Sequence, residues 1–175
     1  MELEEKKLSS TEIFDGVAIH LYKDEILLPN GNKGVREVIR HPGAVCVIPI
    51  TDDGEIIFVN QFRYAFNKVT LEIPAGKLDS KEEIPLEAAK RELREETGVR
   101  CETLTSLGAF YPAPAYSDEL IDMYLAEGLK FGNTDFDEGE FLECELIPLT
   151  KLVDMVMSGE ICDSKTMVAI LKTAL

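Results

Sequence analysis

Three acidic residues within five positions, Glu92, Glu95 and Glu96, constrain this 175-residue chain more than any other feature. If the segment is helical, Glu92 and Glu96 lie one turn apart on one face, with Glu95 beside them. Like charges so arranged destabilise an isolated helix by roughly 0.2–0.5 kcal/mol per pair, so the cluster needs a reason. Two explanations are available: the acids bind a hard divalent cation such as Mg²⁺, or they are solvated on the exposed face of a surface helix.

The neighbouring residues predict where this helix begins and ends. Pro85 suits a first turn, where the missing N–H costs nothing, and Gly98 is typical of the residue just past a last turn. Four residues at helical spacing form a face that can pack on a sheet: Leu86, Ala89, Leu93 and Thr97. The glutamates point away from this face, as a metal site requires.

Composition excludes several classes of function. The net charge of −15 argues against nucleic acid or an anionic membrane as partner, since both require a basic surface. No window approaches 18 continuous apolar residues, and the N-terminus is charged rather than apolar, so neither a membrane span nor a signal peptide is expected. The four cysteines are widely spaced, which disfavours a zinc site, and Cys46 and Cys144 read as small buried hydrophobic residues. A reduced cytoplasm is the simplest location.

Strand patterns precede the helix. Residues 13–39 read as short strands, with breaks expected at 15–16 and 23–24 and a loose end over residues 1–8. So small a sheet is marginal alone and is expected to pack on the main body or on a second subunit. Residues 44–50 form a continuous apolar run, typical of a strand buried on both faces, and Glu55–Arg63 returns from a turn.

Four further features could carry chemistry. Arg91 could pair with a carboxylate of the acidic cluster, and Arg63, at a strand end, could bind a diphosphate with both arms of its fork. The proline-stiffened segment 111–119 offers tyrosine faces for a ring, and the acidic segment 135–140 could supply a general base. The alternatives are a solvated helix charge, a surface arginine, a plain connecting loop and a solvated acidic turn.

Residues 76–99 resemble the box motif of the Nudix hydrolase superfamily. Gly76 opens the motif, and seven residues close it in order: Arg91, Glu92, Leu93, Glu95, Glu96, Gly98 and Val99. The family pattern also has a glutamate five residues after the glycine and seven before the arginine. Here that span is one residue too long. Either Glu83 takes the position behind a lengthened loop, or Glu82 takes it and the helix is reset.

Segments outside the box are similar to the ADP-ribose pyrophosphatase branch of that family, over about residues 11–172. They include residues 27–31, 41–45, 61–64, 71–78 and 137–141, and Pro114, sixteen residues after Gly98. The resemblance implies an α/β fold: an α/β/α sandwich around a mixed sheet, with a small N-terminal antiparallel sheet. It implies two domains, residues 1–42 for dimerisation and base contacts and residues 43–175 for hydrolysis, and a homodimer.

The resemblance also implies roles for particular residues. The metal, Mg²⁺ with Mn²⁺ as an alternative, would be held by the Ala75 carbonyl and by Glu92, Glu95 and Glu96. The catalytic set would be Glu140, with Glu138 as second choice, together with Glu95 and Arg91. The substrate-binding set would be Arg63, Glu72, Pro114 and Glu119. Because the chain has no tryptophan, Phe14, His20 or Tyr22 would have to stack on the base.

The implied reaction is attack of water on the diphosphate of ADP-ribose, giving AMP and ribose 5-phosphate. One alternative is hydrolysis of another nucleoside diphosphate sugar, such as GDP-mannose. A second, of a different class, is an ADP-ribose sensor without catalysis, which should have lost box acids, whereas this chain keeps them. A third, a hydrolase of oxidised nucleoside triphosphates, fits a smaller chain without the N-terminal sheet.

Overall fold

A computed structural model of the chain describes residues 3–134 and 142–175. They form two compact units. The N-terminal unit comprises Met1–Pro42 with Tyr111–Leu120, and the core unit comprises Gly43–Phe110 with Ile121–Leu175. None of the helices within the described ranges has the length and apolar character needed to cross a bilayer.

The N-terminal unit contains an antiparallel sheet in the order β1-β2-β3, formed by β1 (Lys6–Asp15), β2 (His20–Leu27) and β3 (Lys33–Arg40). The predicted break at residues 23–24 is wrong, because β2 runs through both. Asp24 is buried there and accepts a hydrogen bond from Arg40 Nη2 at 2.7 Å, which satisfies its charge within the strand. The loose end is shorter than predicted, since β1 begins at Lys6.

The segment Tyr111–Leu120 joins this unit through backbone hydrogen bonds to β3. Ile39 N donates to Tyr116 O at 2.8 Å, and Asp118 N donates to Ile39 O at 3.2 Å. Arg40 then bridges Asp24 and Asp118. No sequence pattern indicates this association, because the partners are more than 70 residues apart.

The core unit carries the remaining elements. Its strands are β4 (Ala44–Pro49), β5 (Glu55–Arg63), β6 (Lys68–Glu72), β7 (Ala75–Lys77), β8 (Val99–Arg100), β9 (Thr103–Phe110), β10 (Ile121–Glu127), β11 (Lys130–Phe131) and β12 (Leu142–Pro148). Its helices are α1 (Pro85–Thr97), α2 (Leu149–Ser158) and α3 (Ser164–Ala174). The strands pair as a mixed sheet β7-β4-β10-β9, in which β4 and β10 are parallel, an antiparallel sheet β12-β5-β6 and the short pair β11-β8.

Alternate residues of β4 pack into two different hydrophobic cores. Cys46 and its neighbours on one face contact α2 and α3, through residues such as Leu152 and Ile170. Val47 and its neighbours on the other face join the cluster that includes Leu93 of α1. Because side chains alternate across a strand, a fully buried strand between two helical layers must be apolar throughout. This layering confirms the predicted α/β/α sandwich around a mixed sheet.

Helix α2 begins at Leu149 after the cap residue Pro148, so Thr150, a residue type common at caps, lies inside its first turn. Cys144 is exposed rather than buried, because β12 is an edge strand with consecutive outward residues, whereas Cys46 is buried as predicted. For α3 the sequence allows Asp163 or Ser164 as cap, and Asp163 takes that position by accepting from Thr166 N at 3.0 Å.

Candidate active site

Helix α1 has the predicted bounds because both ends have local causes. Pro85 occupies its first turn, and Gly98 ends it with a positive φ of 70°. A Cβ on Gly98 would lie 2.7 Å from the carbonyl oxygen of Gly132, so a glycine is needed for close packing as well. The buried face, which includes Ala89 and Leu93, fixes the rotation of the helix. This rotation directs Glu92 and Glu96 towards β7.

The Glu92 carboxylate lies directly against the backbone of Gly76 in β7. A Cβ built on Gly76 would fall 2.0–2.2 Å from the three atoms of that carboxyl group, so no other residue fits without displacing it. Arg91 Nη1 donates to Glu92 Oε1 at 2.6 Å. Glu92 is 9% exposed. The glycine that opens the box motif therefore makes room for Glu92, the first of the three clustered acids of the helix.

Glu96 is held by the residue before that glycine. Its Oε2 accepts a hydrogen bond from the backbone N–H of Ala75 at 3.0 Å, and the residue is 3% exposed. Two nearly buried carboxylates one helical turn apart therefore contact successive residues of one strand. Glu95, the third acid, is held from the side by Arg91 at 3.2 Å and Arg94 at 2.9 Å.

Arg91 forms hydrogen bonds with three acids of the box motif. Its guanidinium donates to Glu92 and Glu95 and, through Nε and Nη2, to the two oxygens of Glu83 at 3.3 Å each. Burial opposes its charge, but the hydrogen bonds and charges of Glu83 and Glu92 outweigh burial and raise the pKa of Arg91. The pairing of Arg91 with box carboxylates, expected from sequence, is present.

These contacts settle which glutamate follows the lengthened loop. Glu83, not Glu82, meets Arg91, and Glu83 Oε2 also accepts from Asp79 N at 2.6 Å. The hydrogen bond from Asp79 N, and then Arg91, lower the pKa of Glu83. Glu82 instead turns its backbone N–H to Ser80 Oγ. The extra residue is accommodated before Glu83, and α1 keeps its register.

A second charged cluster surrounds Glu72 at the end of β6. Arg63 donates to both of its oxygens, through Nε at 2.7 Å and Nη2 at 2.6 Å, and Thr70 Oγ1 donates at 2.6 Å. The Lys165 ammonium contacts the same carboxylate from α3. Burial alone would raise the pKa of Glu72, yet Arg63 and Lys165 lower it from 4.5 to about 2. Arg63 and Glu72 are thus brought together.

This depressed pKa makes stability depend on pH. A carboxyl group whose pKa is lower in the folded state adds stability above its unfolded value of 4.5, and that stability is lost as pH falls towards 2. We expect Glu72→Gln to lower the free energy of unfolding by about 2–3 kcal/mol at pH 7. The difference from wild type should shrink between pH 4.5 and pH 2 in urea titrations, and one that stays constant across that range would contradict this ion-pair account.

Carboxylate oxygens are the donors that a hard divalent cation prefers, and Glu92 and Glu96 fit that chemistry. Both side chains are almost buried, with Arg91 as the cation beside Glu92. Among the described residues, no group of three His, Cys, Asp or Glu side chains is already arranged around one metal position. The backbone at Ala75–Gly76, against which both carboxylates lie, is the other candidate source of an oxygen.

Four other predicted site residues belong to the N-terminal unit or lie outside the described residues. Pro114 and Glu119 belong to the N-terminal unit, where a Glu119 oxygen lies 3.9 Å from His41 Nδ1. Glu138 and Glu140 lie outside the described residues.

A pocket of about 210 Å³ is bordered by Arg63, Glu72 and residues near them. Larger pockets of about 410 Å³ border Arg94 and Arg100, and neither includes Glu92 or Glu96.

Lys165 is the site-associated residue that sequence reasoning missed. It reads as an ordinary polar position in the last helix. One signal was available, because a cation in the first turn of a helix opposes the helix dipole. Such a lysine requires an acidic partner.

Several known proteins are similar to this chain. Residues 40–166 match the family model described as NUDIX domain. The chain is 44% identical over 170 residues to the ADP-ribose pyrophosphatase of Bacillus subtilis (strain 168), covering 96% of this chain and 91% of that protein. It is 41% identical over 169 residues to the methanol dehydrogenase activator of Bacillus methanolicus, covering 95% and 91%. A solved structure, the crystal structure of ADP compounds hydrolase, shares the fold with a TM-score of 0.86 at 23% identity, covering 99% and 95%.

Proposed function

The chain belongs to the NUDIX domain family, and from this premise we propose that it hydrolyses the diphosphate of ADP-ribose or a related ADP-sugar, giving AMP and ribose 5-phosphate. The observation that carries the reaction class is the pair of nearly buried carboxylates, Glu92 and Glu96, seated on consecutive residues of β7. The substrate is supported by similarity to an ADP-ribose pyrophosphatase across almost the whole of both chains.

Nudix hydrolases use a divalent cation, and we propose Mg²⁺ for this chain, with Mn²⁺ as a substitute. Glu92, Glu96, Glu95 and the Ala75 carbonyl would hold it. When bound, the cation would neutralise charge on the diphosphate and its leaving group and favour an attacking water. Two facts support this assignment: the donors are all oxygens, and Glu92 and Glu96 both lie against the consecutive residues Ala75 and Gly76.

The protein's own residues would position the reactants. Arg91 holds Glu92 and Glu95 in fixed directions through its fork. Arg63 would bind a substrate phosphate, and Glu140, or Glu138 in second place, would take the proton of water as its oxygen attacks phosphorus. The bond to the bridging oxygen then breaks, and its electron pair leaves with the second phosphate. Glu72 in the core unit, through its hydrogen bonds with Arg63, and Pro114 and Glu119 in the N-terminal unit are proposed as further substrate-binding residues.

We propose a homodimer in the cytoplasm as the working form. The N-terminal unit supports the homodimer, since every residue of β1 is exposed, including Ile13 and Phe14. The cytoplasmic location is supported by four free cysteines, which suit a reducing compartment. The partner of the enzyme would be a small nucleotide sugar, and neither nucleic acid nor a membrane suits a net charge of −15.

Hydrolysis of a panel of nucleotide sugars in Mg²⁺ tests the proposed substrate. We expect kcat/KM for ADP-ribose to exceed that for GDP-mannose by at least about tenfold, with AMP and ribose 5-phosphate as products. Product chromatography identifies the bond that is cleaved. Preference for the guanine sugar would overturn the ADP-ribose assignment while keeping the reaction class. Binding of ADP-ribose without turnover would favour the alternative function, an ADP-ribose sensor without catalysis.

A further inference from the structure

Lys165 is buried where a lysine is costly. Its side chain is 9% exposed, and it lies in the first turn of α3, where the helix dipole disfavours a cation. Two carboxylates compensate for it: Glu72, which its ammonium contacts, and Asp163 Oδ2 at 3.0 Å. The lysine therefore needs these acids, whereas Glu72 already has a cation in Arg63.

Glu72 has more charged donors than one carboxylate requires. Arg63 engages both of its oxygens, while Lys165 and Thr70 each engage one of the same oxygens. If the arginine left, each oxygen of Glu72 would still have a donor. This matters because the Glu72 side chain is only 3% exposed, and a buried carboxylate with no cation would be strongly unfavourable.

Arg63 is the partner that can leave. Its side chain is 41% exposed, whereas Lys165 is enclosed, and it borders the pocket of about 210 Å³ with Phe66 and Lys68. A guanidinium fork binds a phosphate as readily as a carboxylate. Arg63 can thus exchange Glu72 for an anion in the pocket, provided that Glu72 stays neutralised.

We propose that Lys165 is a positioning residue for substrate binding: by keeping Glu72 neutralised, it lets Arg63 turn from Glu72 to the substrate diphosphate. This inference rests on the proposed function, in which Arg63 binds a phosphate. Without Lys165, Arg63 would be the only cation on a buried carboxylate and would stay bound to it. Glu72 thus competes with the substrate for Arg63, and Lys165 weakens this competition by neutralising Glu72.

The variant Lys165→Met tests this directly, because it removes the charge and keeps the length of the side chain. We expect KM for the nucleotide sugar to rise about tenfold with kcat within about twofold, since only the fraction of molecules with a free Arg63 binds substrate. The double variant Glu72→Gln/Lys165→Met removes both charges and should bring KM back to within about threefold of wild type. A purely structural role for Lys165 predicts the opposite, namely that the double variant is worse than the single one.

The single variant Glu72→Gln keeps the test decisive if Lys165→Met does not fold. It leaves Lys165 beside Asp163 and removes the carboxylate that competes for Arg63, so KM should fall below the wild-type value. An unchanged or higher KM for Glu72→Gln, or an unchanged KM for folded Lys165→Met, would overturn the proposal. Circular dichroism establishes that each variant is folded.

Failure of the proposed function can be told apart from failure of this inference. The comparison of KM uses whichever nucleotide sugar the wild-type enzyme hydrolyses best, so a different base leaves the test intact. If the wild type hydrolyses none, the proposed function fails. Calorimetric binding of inorganic pyrophosphate then replaces KM: weaker binding by Lys165→Met that the double variant restores supports the inference, and equal binding by all three proteins overturns it.

Discussion

Glu96→Gln is expected to lower kcat for ADP-ribose by about 10²–10³-fold, because it removes one of two charges that hold the divalent cation. The fold should survive this change. The amide oxygen of the introduced side chain can still accept the hydrogen bond from Ala75 N that Glu96 now accepts at 3.0 Å. Loss of turnover with an unchanged unfolding midpoint would therefore report on chemistry. Steady-state rates across a Mg²⁺ titration measure it, and the variant should require more metal.

Glu87→Gln is the matched control for this experiment. Glu87 lies in the first turn of the same helix, is exposed, and pairs with Lys90 at 2.7 Å rather than with Arg91. Its removal should leave kcat within about twofold, since an exposed pair contributes little. Equal turnover by Glu96→Gln and wild type would contradict a metal site on this helix face.

Gly76→Ala should have the second largest effect, a loss of about 10²-fold in kcat/KM from a single added methyl group. That methyl would fall 2.0–2.2 Å from the Glu92 carboxyl group, well inside van der Waals contact, so the carboxylate must move. Displacement would also disturb the hydrogen bond from Arg91 Nη1 at 2.6 Å. Rates and Mg²⁺ dependence measured as for Glu96→Gln would show both effects.

Gly34→Ala in β3 serves as the control for the added methyl. Its Cβ would meet only side-chain atoms, of Leu28 and Ile26, at 3.3–3.4 Å, which flexible neighbours can accommodate. We expect turnover close to wild type for this variant. If Gly76→Ala were as active as Gly34→Ala, the close contact between the Glu92 carboxylate and the β7 backbone would have no catalytic importance.

Helix α1 and its acids could be predicted from sequence because their causes are local. Pro85 and Gly98 set the two ends, and the spacing of Glu92 and Glu96 sets one face, all within a single short segment. The pairing of Arg91 with box acids follows from the same helical geometry. The buried strand β4 could be predicted as well, since a strand packed on both faces must be apolar throughout.

The cluster around Glu72 could not be predicted, because its members are far apart in sequence. Lys165 follows Glu72 by 93 residues, and only the folded chain brings α3 to the end of β6. Neither residue belongs to a motif with a fixed spacing to the other. The choice between Glu82 and Glu83 had a different obstacle: both are acids in one loop, and the contact with Arg91 decides between them.

The break predicted within β2 failed for a related reason. Lys23 and Asp24 look like a polar interruption, but Asp24 is paired inside the unit with Arg40, which arrives from β3. A charged residue in a strand signals a break only if nothing in the fold neutralises it. The same principle explains why Glu92, beside Arg91, and Glu72, beside Arg63 and Lys165, tolerate burial.

The position of Mn²⁺ tests the central claim most directly. A crystal of the wild-type protein soaked with Mn²⁺ and a non-hydrolysable ADP-ribose analogue should give an anomalous peak coordinated by the carboxylates of Glu92 and Glu96, in contact with the diphosphate. A peak at any other cluster, or an analogue whose diphosphate lies away from α1, would contradict the claim that this helix and the backbone of Ala75–Gly76 form the hydrolytic centre.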